Sequence, residues 1–199
     1  MHDKLFSTQG LRFWQLSLPS NPTGFIIFED RPGWSNLEPK MIQLAMRQLK
    51  FIFVGRSKTA YWQQAEQYYL AQIQHFLPVA ACVVKDSRNS DITLRKTEET
   101  QYIESRLQDK DFIICLDEKG TGCTSPKLAA ALGSWLEMPG RLPCFVLGGA
   151  YGLQQDFVQQ ADYVLSLSPM TFPHELARVV HLEQTYRALS ILHGKKYHH

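Results

Sequence analysis

From Gln48 onward, short apolar runs alternate with segments of helical period, and few folds accommodate that alternation. Leu49-Lys50-Phe51-Ile52-Phe53-Val54 reads as a buried strand ended by Gly55. Residues 59–76 then place Trp62, Ala65, Tyr69 and Ile73 on one helical stripe. Val79–Val84 is a second strand, and a polar loop from Asp86 to Asp91 leads to a charged helix near 95–108. Asp111–Leu116 is a third strand. Ser125 caps the next helix and Pro126 occupies its first turn, where no backbone N–H is needed; this helix runs through Trp135. Pro143–Leu147 is a fourth strand, ending at Gly148-Gly149, with a short helix near 154–160. Tyr163–Leu167 is a fifth strand, and Pro173 opens a long helix to about Leu192. Strands alternating with helices predict an α/β fold, a mainly parallel sheet flanked by helices.

Residues 1–45 break this pattern. Pro19, Pro22, Pro32 and Pro39 are four of the ten prolines in the chain, and that spacing blocks both a long helix and a central strand. Only Gly24–Phe28 reads as a strand there. The expected organisation is a poorly ordered or mis-started extension over 1–45 and one domain over 46–199, with Met46 as an alternative start.

The 21 basic and 19 acidic residues leave a net charge of +2, so any basic surface must be local rather than global. Cys82, Cys115, Cys123 and Cys144 form no C-x-x-C pair and have no nearby histidine pattern, which predicts no metal site. Cys82, Cys115 and Cys144 lie in apolar runs and read as small buried hydrophobes of a reducing compartment. No apolar run approaches the roughly 18 residues of a membrane span. The first residues lack a basic start, an apolar run and a cleavage site. The expected location is the cytoplasm, with no membrane partner.

In parallel sheets, ligands bind beyond the carboxyl ends of the strands. Three such ends are chemically unusual here: Leu116–Gly120, Leu147–Gly152 and Leu167–His174. Gly148-Gly149-x-x-Gly152 allows close backbone approach, yet a simple tight turn accounts for it equally well. The loop from Leu167 to Phe172 offers backbone amides and carbonyls for an adenine edge, with Leu167, Met170 and Phe172 to pack on the ring. Asp117, Glu118 and Lys119 read as a surface turn. On the last helix, Leu176, Val179, Val180, Leu182, Tyr186, Leu189 and Leu192 form an apolar stripe suited to a core or a subunit interface. The tail joins Lys195 and Lys196 to Tyr197, His198 and His199, a set able to pair phosphate and stack a base, or simply a solvated terminus.

These strand ends in this order, followed by Arg178-Val179-Val180, Glu183-Gln184-Thr185-Tyr186-Arg187-Ala188 and Gly194-x-x-Tyr197-His198, resemble one family. It is the bacterial ribosomal RNA large subunit methyltransferase H family of the SPOUT class, and the resemblance runs from about Met46 to His199. It implies an α/β knot, in which the C-terminal part of the chain threads through a loop. It also implies a homodimer that uses S-adenosylmethionine to methylate N3 of a pseudouridine in 23S rRNA within the assembled 70S ribosome. By position, Leu116, Gly148, Leu167, Ser168, Pro169, Met170, Thr171 and Phe172 would hold the cofactor. Arg187, Tyr197 and His198 would stand near the target nucleotide. Arg187 would stabilise negative charge on carbonyl oxygens, and His198 or Tyr197 would serve as base. The chain ends on His199 where family members place arginine or lysine. That departure motivates an alternative: a cofactor-binding module without activity, or a ribosome assembly factor.

Overall fold

The computed structural model describes residues 47–195, together with two three-residue strands, β1 (Phe6–Thr8) and β2 (Leu11–Phe13). The chain divides into two units, Met1–Ile42 and Gln43–His199. In the first, β1 and β2 pair antiparallel, Phe6 opposite Phe13 and Thr8 opposite Leu11. The expected strand at Gly24–Phe28, most of the proline-rich extension, and Lys196, Tyr197, His198 and His199 lie outside the described residues.

The second unit is the predicted α/β fold. Five parallel strands, β3 (Leu49–Val54), β4 (Val79–Val84), β5 (Asp111–Gly122), β6 (Leu142–Leu147) and β7 (Tyr163–Ser166), lie in the order β4-β3-β6-β5-β7. The connecting helices are α1 (Ala60–Gln74), α2 (Ile92–Glu104), α3 (Ser125–Glu137), α4 (Gln155–Gln159) and α5 (His174–Leu192). Side chains of a strand alternate between faces, and β3 shows the consequence. Leu49, Phe51 and Phe53 join Phe145, Leu147 and Ile114 against α1, α3 and α5. Ile52 and Val54 join Cys115, Cys144 and Val146 against Ile103 of α2 and Phe157 and Val158 of α4. Cys115 and Cys144 are fully buried as expected, and burial pushes both thiols up to about 12. Cys82, on edge strand β4, is only partly buried.

Several boundaries move for identifiable reasons. α2 begins three residues early, because the Asp91 side chain caps it by accepting from the Leu94 N–H at 2.9 Å. The N-cap of α3 is Thr124 rather than Ser125, whose hydroxyl instead donates to Oε1 of Gln184 on α5 at 2.7 Å. β5 does not stop at Leu116. It breaks register and re-pairs through Thr121 with Leu165 and through Gly122 with Ser166, a pairing set by a strand far away in sequence.

α5 meets the core expectation in part and adds a buried polar face to it. Of the expected apolar stripe, Leu182 and Leu189 are buried, Tyr186 and Leu192 pack on the core, and Leu176, Val179 and Val180 are only partly covered. The face that is fully buried carries Arg178, His181 and Thr185. Arg178 is 0% exposed and donates to the carbonyls of Val54 at 3.1 Å and Gly55 at 2.9 Å. It pairs with Glu66 of α1 at 3.4 Å and lies over the Phe53 ring at 4.6 Å. His181 sits between Phe51 and Phe145, and neither ring nitrogen has a hydrogen-bond partner. Burial pushes its imidazolium down to about 3.

Removing one member of a buried charge network strands the others. Arg178→Ala is expected to lower unfolding free energy in urea by about 3–5 kcal/mol. His181 binds its proton more readily unfolded than folded, so stability is retained above its ordinary value near 6.5 and lost as pH falls toward 3. His181→Leu should therefore shrink the stability difference between pH 7 and pH 4.5 by roughly 2–3 kcal/mol, read from denaturation curves at the two pH values.

Candidate functional site

The carboxyl ends of β5, β6 and β7 open into a pocket of about 400 Å³, within the usual range for small-ligand sites. Its apolar walls include Leu116, Leu147, Leu153, Leu165, Leu167 and Phe172. Its polar lining includes Lys96, Asp117, Glu118, Lys119, Ser168, Thr171 and His174, and Tyr151 stands 46% exposed at its rim.

The glycine turn after β6 supports one wall. Gly149 and Gly152 form an isolated bridge, and the Gly152 N–H donates to the Gly149 carbonyl at 3.0 Å. A Cβ on Gly148 would lie 2.7 Å from the Gly152 carbonyl carbon and 2.9 Å from the Leu153 nitrogen. Gly148 is thus required first by the chain's own turn. Gly152 has φ +74°, and a Cβ there would meet nothing within 4 Å. Its bare backbone is the part of the turn that leaves open space.

The loop after β7 supplies the opposite wall. β7 ends at Ser166, one residue earlier than expected, and the Ser166 hydroxyl donates to the Ser168 carbonyl at 3.1 Å. The Ser168 hydroxyl accepts from the Met170 N–H at 3.0 Å, so that amide is satisfied within the loop. Met170 is 70% exposed, projecting from the rim rather than covering a wall. Phe172 is partly buried, and α5 then begins with His174 and Ala177 on the lining. His174 is held below its ordinary value by burial, helped by Arg178 and Lys58 and opposed by Glu175.

Of the residues singled out from sequence, the fold gathers Leu116, Gly148, Leu167, Ser168, Met170, Thr171 and Phe172 around one cavity, though they come from three separate segments. Pro169 is exposed beside it and does not line it. Arg187 is not on the lining either; it stands about 15 Å beyond Ala177 at the helical rise. Its guanidinium is held by Glu183 one turn earlier, at 2.6 and 3.0 Å. Tyr197 and His198 lie outside the described residues. The segment read as a surface turn, Asp117, Glu118 and Lys119, is instead a wall of the pocket. Its position at a strand end was the available signal. Lys96 gave none, since only packing brings α2 to this edge. No group of three or more potential metal-ligating side chains occurs among the described residues. No helix is long and apolar enough to cross a membrane among them either.

A parallel sheet flanked by helices, with a pocket at its carboxyl edge built from a glycine turn and a loop poor in charge, is the usual α/β setting of a small-ligand site. A family model described as "Predicted SPOUT methyltransferase" matches residues 47–198. The chain is 43% identical over 154 residues to "Ribosomal RNA large subunit methyltransferase H" of Solidesulfovibrio magneticus, covering 77% of this chain and 100% of that one. It is 44% identical over 155 residues to the protein of the same name from Nitratidesulfovibrio vulgaris, covering 77% and 99%. A solved probable methyltransferase from Bordetella pertussis Tohama I superposes with a TM-score of 0.49 at 16% identity, over 76% of this chain and 99% of that one. The chain belongs to the ribosomal RNA large subunit methyltransferase H family of SPOUT methyltransferases.

Two glycines give a paired test of the turn. Gly148→Ala forces backbone apart and is expected to cost about 1–3 kcal/mol. Gly122→Ala, with nothing within 4 Å of its Cβ, should stay within about 0.5 kcal/mol of wild type. Thermal denaturation of the two variants decides between a structural and an indifferent Gly148.

Proposed function

We propose that this chain is an S-adenosylmethionine-dependent methyltransferase of rRNA, acting on N3 of a pseudouridine in 23S rRNA within the 70S ribosome. The observation that carries this reading is the pocket: seven of the eight residues that the family pattern assigns to the cofactor, Pro169 being the exception, line one cavity of about 400 Å³. The lining fits the group chemically. The open backbone at Gly152 and the apolar walls Leu116, Leu167 and Phe172 suit a flat heterocycle. Asp117 and Glu118, balanced by Lys96 and Lys119 on the same lining, offer carboxylates to the cationic and lysines to the anionic groups of such a ligand. Bound there, S-adenosylmethionine supplies an electrophilic methyl group.

The protein's own tasks are then orientation and charge management. Leu116, Gly148, Leu167, Ser168, Met170, Thr171 and Phe172 would hold the cofactor, and Pro169 would shape their loop. The imide nitrogen of the base must lose a proton to become a good nucleophile; His198, or Tyr197 through water, would take it. Arg187 would stabilise the negative charge left on the neighbouring carbonyl oxygens. Arg187 stands well along α5 from its own pocket, so this role fits a homodimer in which the partner subunit's Arg187 serves the site. The partly covered Leu176, Val179 and Val180 offer a face for that assembly. The knotted chain path belongs to the same proposal. It is supported by the register break of β5 around Leu165 and by the tight approach of Gly120, where a Cβ would lie 2.8 Å from the carbonyl carbons of Val164 and Leu165. The catalytic unit would be Met46–His199, with residues 1–45 outside it, in a cytoplasmic enzyme.

The test is methyl transfer to 70S ribosomes from a strain lacking the modification, with mass spectrometry of the modified nucleotide, beside calorimetric binding of S-adenosylmethionine. Binding without transfer would make the chain an inactive module, and absence of both would leave an assembly factor. Arg187→Ala should reduce the transfer rate by about 10²- to 10³-fold with cofactor Kd changed less than about twofold. An equal loss in both removes the role given to Arg187.

A further inference from the structure

A second surface lies on the same sheet edge, at the carboxyl ends of β3 and β4, and nothing above uses it. Arg56, Lys58, Lys85, Arg88 and Arg95 line one groove there, with Asp86 as the one carboxylate on its wall. Arg56, Lys58, Lys85 and Arg88 are exposed, and none of the four is in a salt bridge with another described residue.

The way the loops are anchored explains why these cations stay unpaired. In the loop after β3, Ser57 is buried between exposed Arg56 and Lys58, and its hydroxyl donates to Glu66. Arg178 grips the Gly55 carbonyl from beneath. In the loop after β4, Ser87 is buried just before exposed Arg88. Its N–H donates to Glu99 at 3.0 Å and its hydroxyl to Glu98. Apart from exposed Asp86 on the wall, the nearby carboxylates Glu66, Glu98 and Glu99 hold the two serines; Arg56, Lys58, Lys85 and Arg88 face solvent, while half-buried Arg95 pairs with Glu99 at 3.3 Å. Glu98 is held below its ordinary value chiefly by the Ser87 hydrogen bond, with Lys85 contributing less. The Glu175 carboxylate accepts from the Lys58 backbone N–H at 2.5 Å and so is also engaged by main chain.

The groove adjoins the pocket. Arg95, on the groove wall, lies over the ring of Tyr151 on the pocket rim at 5.1 Å, and the next residue, Lys96, lines the pocket. A row of exposed cations on anchored loops, leading to an exposed aromatic ring, suits a nucleic-acid backbone with an unstacked base. We propose that this groove binds the phosphodiester backbone of the RNA substrate beside the reacting nucleotide, with Tyr151 stacking a neighbouring base. This rests on the rRNA methyltransferase reading, and it makes the small net charge intelligible: the cations are concentrated on one edge.

The experiment replaces Arg56, Lys58, Lys85 and Arg88 together with glutamine in the full chain. It measures binding to unmodified 70S ribosomes and to a short single-stranded oligoribonucleotide across a salt series. Each lost phosphate contact lowers the slope of log K against log salt by roughly 0.7–0.9, so with four cations replaced a slope reduced by about 3 is expected. KM for ribosomes should rise at least about tenfold at physiological salt, while kcat and the Kd for S-adenosylmethionine stay within about twofold. Arg56→Lys with Arg88→Lys keeps the charge and should bind with the wild-type slope, which separates loss of charge from loss of fold. An unchanged slope and KM in the glutamine variant overturn the proposal. So does equally tight binding of polyglutamate, which would mark an acidic-protein site. A wild-type chain that binds RNA through these residues but transfers no methyl group overturns the methyltransferase reading and leaves this surface standing.

Discussion

The guanidinium of Arg178 ties together the parts of the molecule that matter for function. It is fully buried, yet it reaches the last carbonyls of β3, the hydroxyl of Ser57 and the carboxylate of Glu66 on α1. A charge in that position is tolerable because both terminal nitrogens of the guanidinium are hydrogen-bonded, one to carbonyls and the other to Ser57 and Glu66. Through it, the start of α5 is pinned to the carboxyl edge of the sheet. His174 and Ala177 thereby reach the pocket, and the loop carrying Arg56 and Lys58 is held in one shape. The pocket wall and the cationic groove share a single anchor.

The two surfaces also share α2. Arg95 and Lys96 are adjacent in sequence and face different neighbours, one the groove and Tyr151, the other the pocket. Glu98 and buried Glu99 of the same helix hold Ser87 of the loop after β4. Arg95 also pairs with Glu99 at 3.3 Å, so the exposed, unpaired cations of the groove are those of the two loops, Arg56, Lys58, Lys85 and Arg88. This arrangement explains how a chain with net charge +2 can carry a strongly basic edge.

Much of this was legible in the sequence. The apolar runs that became β3, β4, β6 and β7 lie within a residue of where alternation placed them, since a buried parallel strand has a nearly unmistakable composition. The pocket segments were legible as chemically odd strand ends. Less legible were features whose cause lies elsewhere in the chain. β5 continues to Gly122 because β7 pairs with it, and Ser125 leaves its capping role because Gln184 is within reach. The apolar stripe of α5 reaches the core through Leu182 and Leu189, but the burial of Arg178 and His181 was not legible, because they look like surface residues until the elements around them are known.

The sequence by itself determined the element order, the α/β class and the family, because hydrophobic period and local motifs are properties of neighbouring residues. Only the tertiary structure decided which residues share a site. Leu116, Gly148 and Phe172 meet because parallel crossovers bring the ends of β5, β6 and β7 to one edge. Arg56, Lys85 and Arg95 meet because β3, β4 and α2 end beside one another. Whether a charge is buried, paired or left facing solvent depends on what packs against it, and no local pattern carries that information.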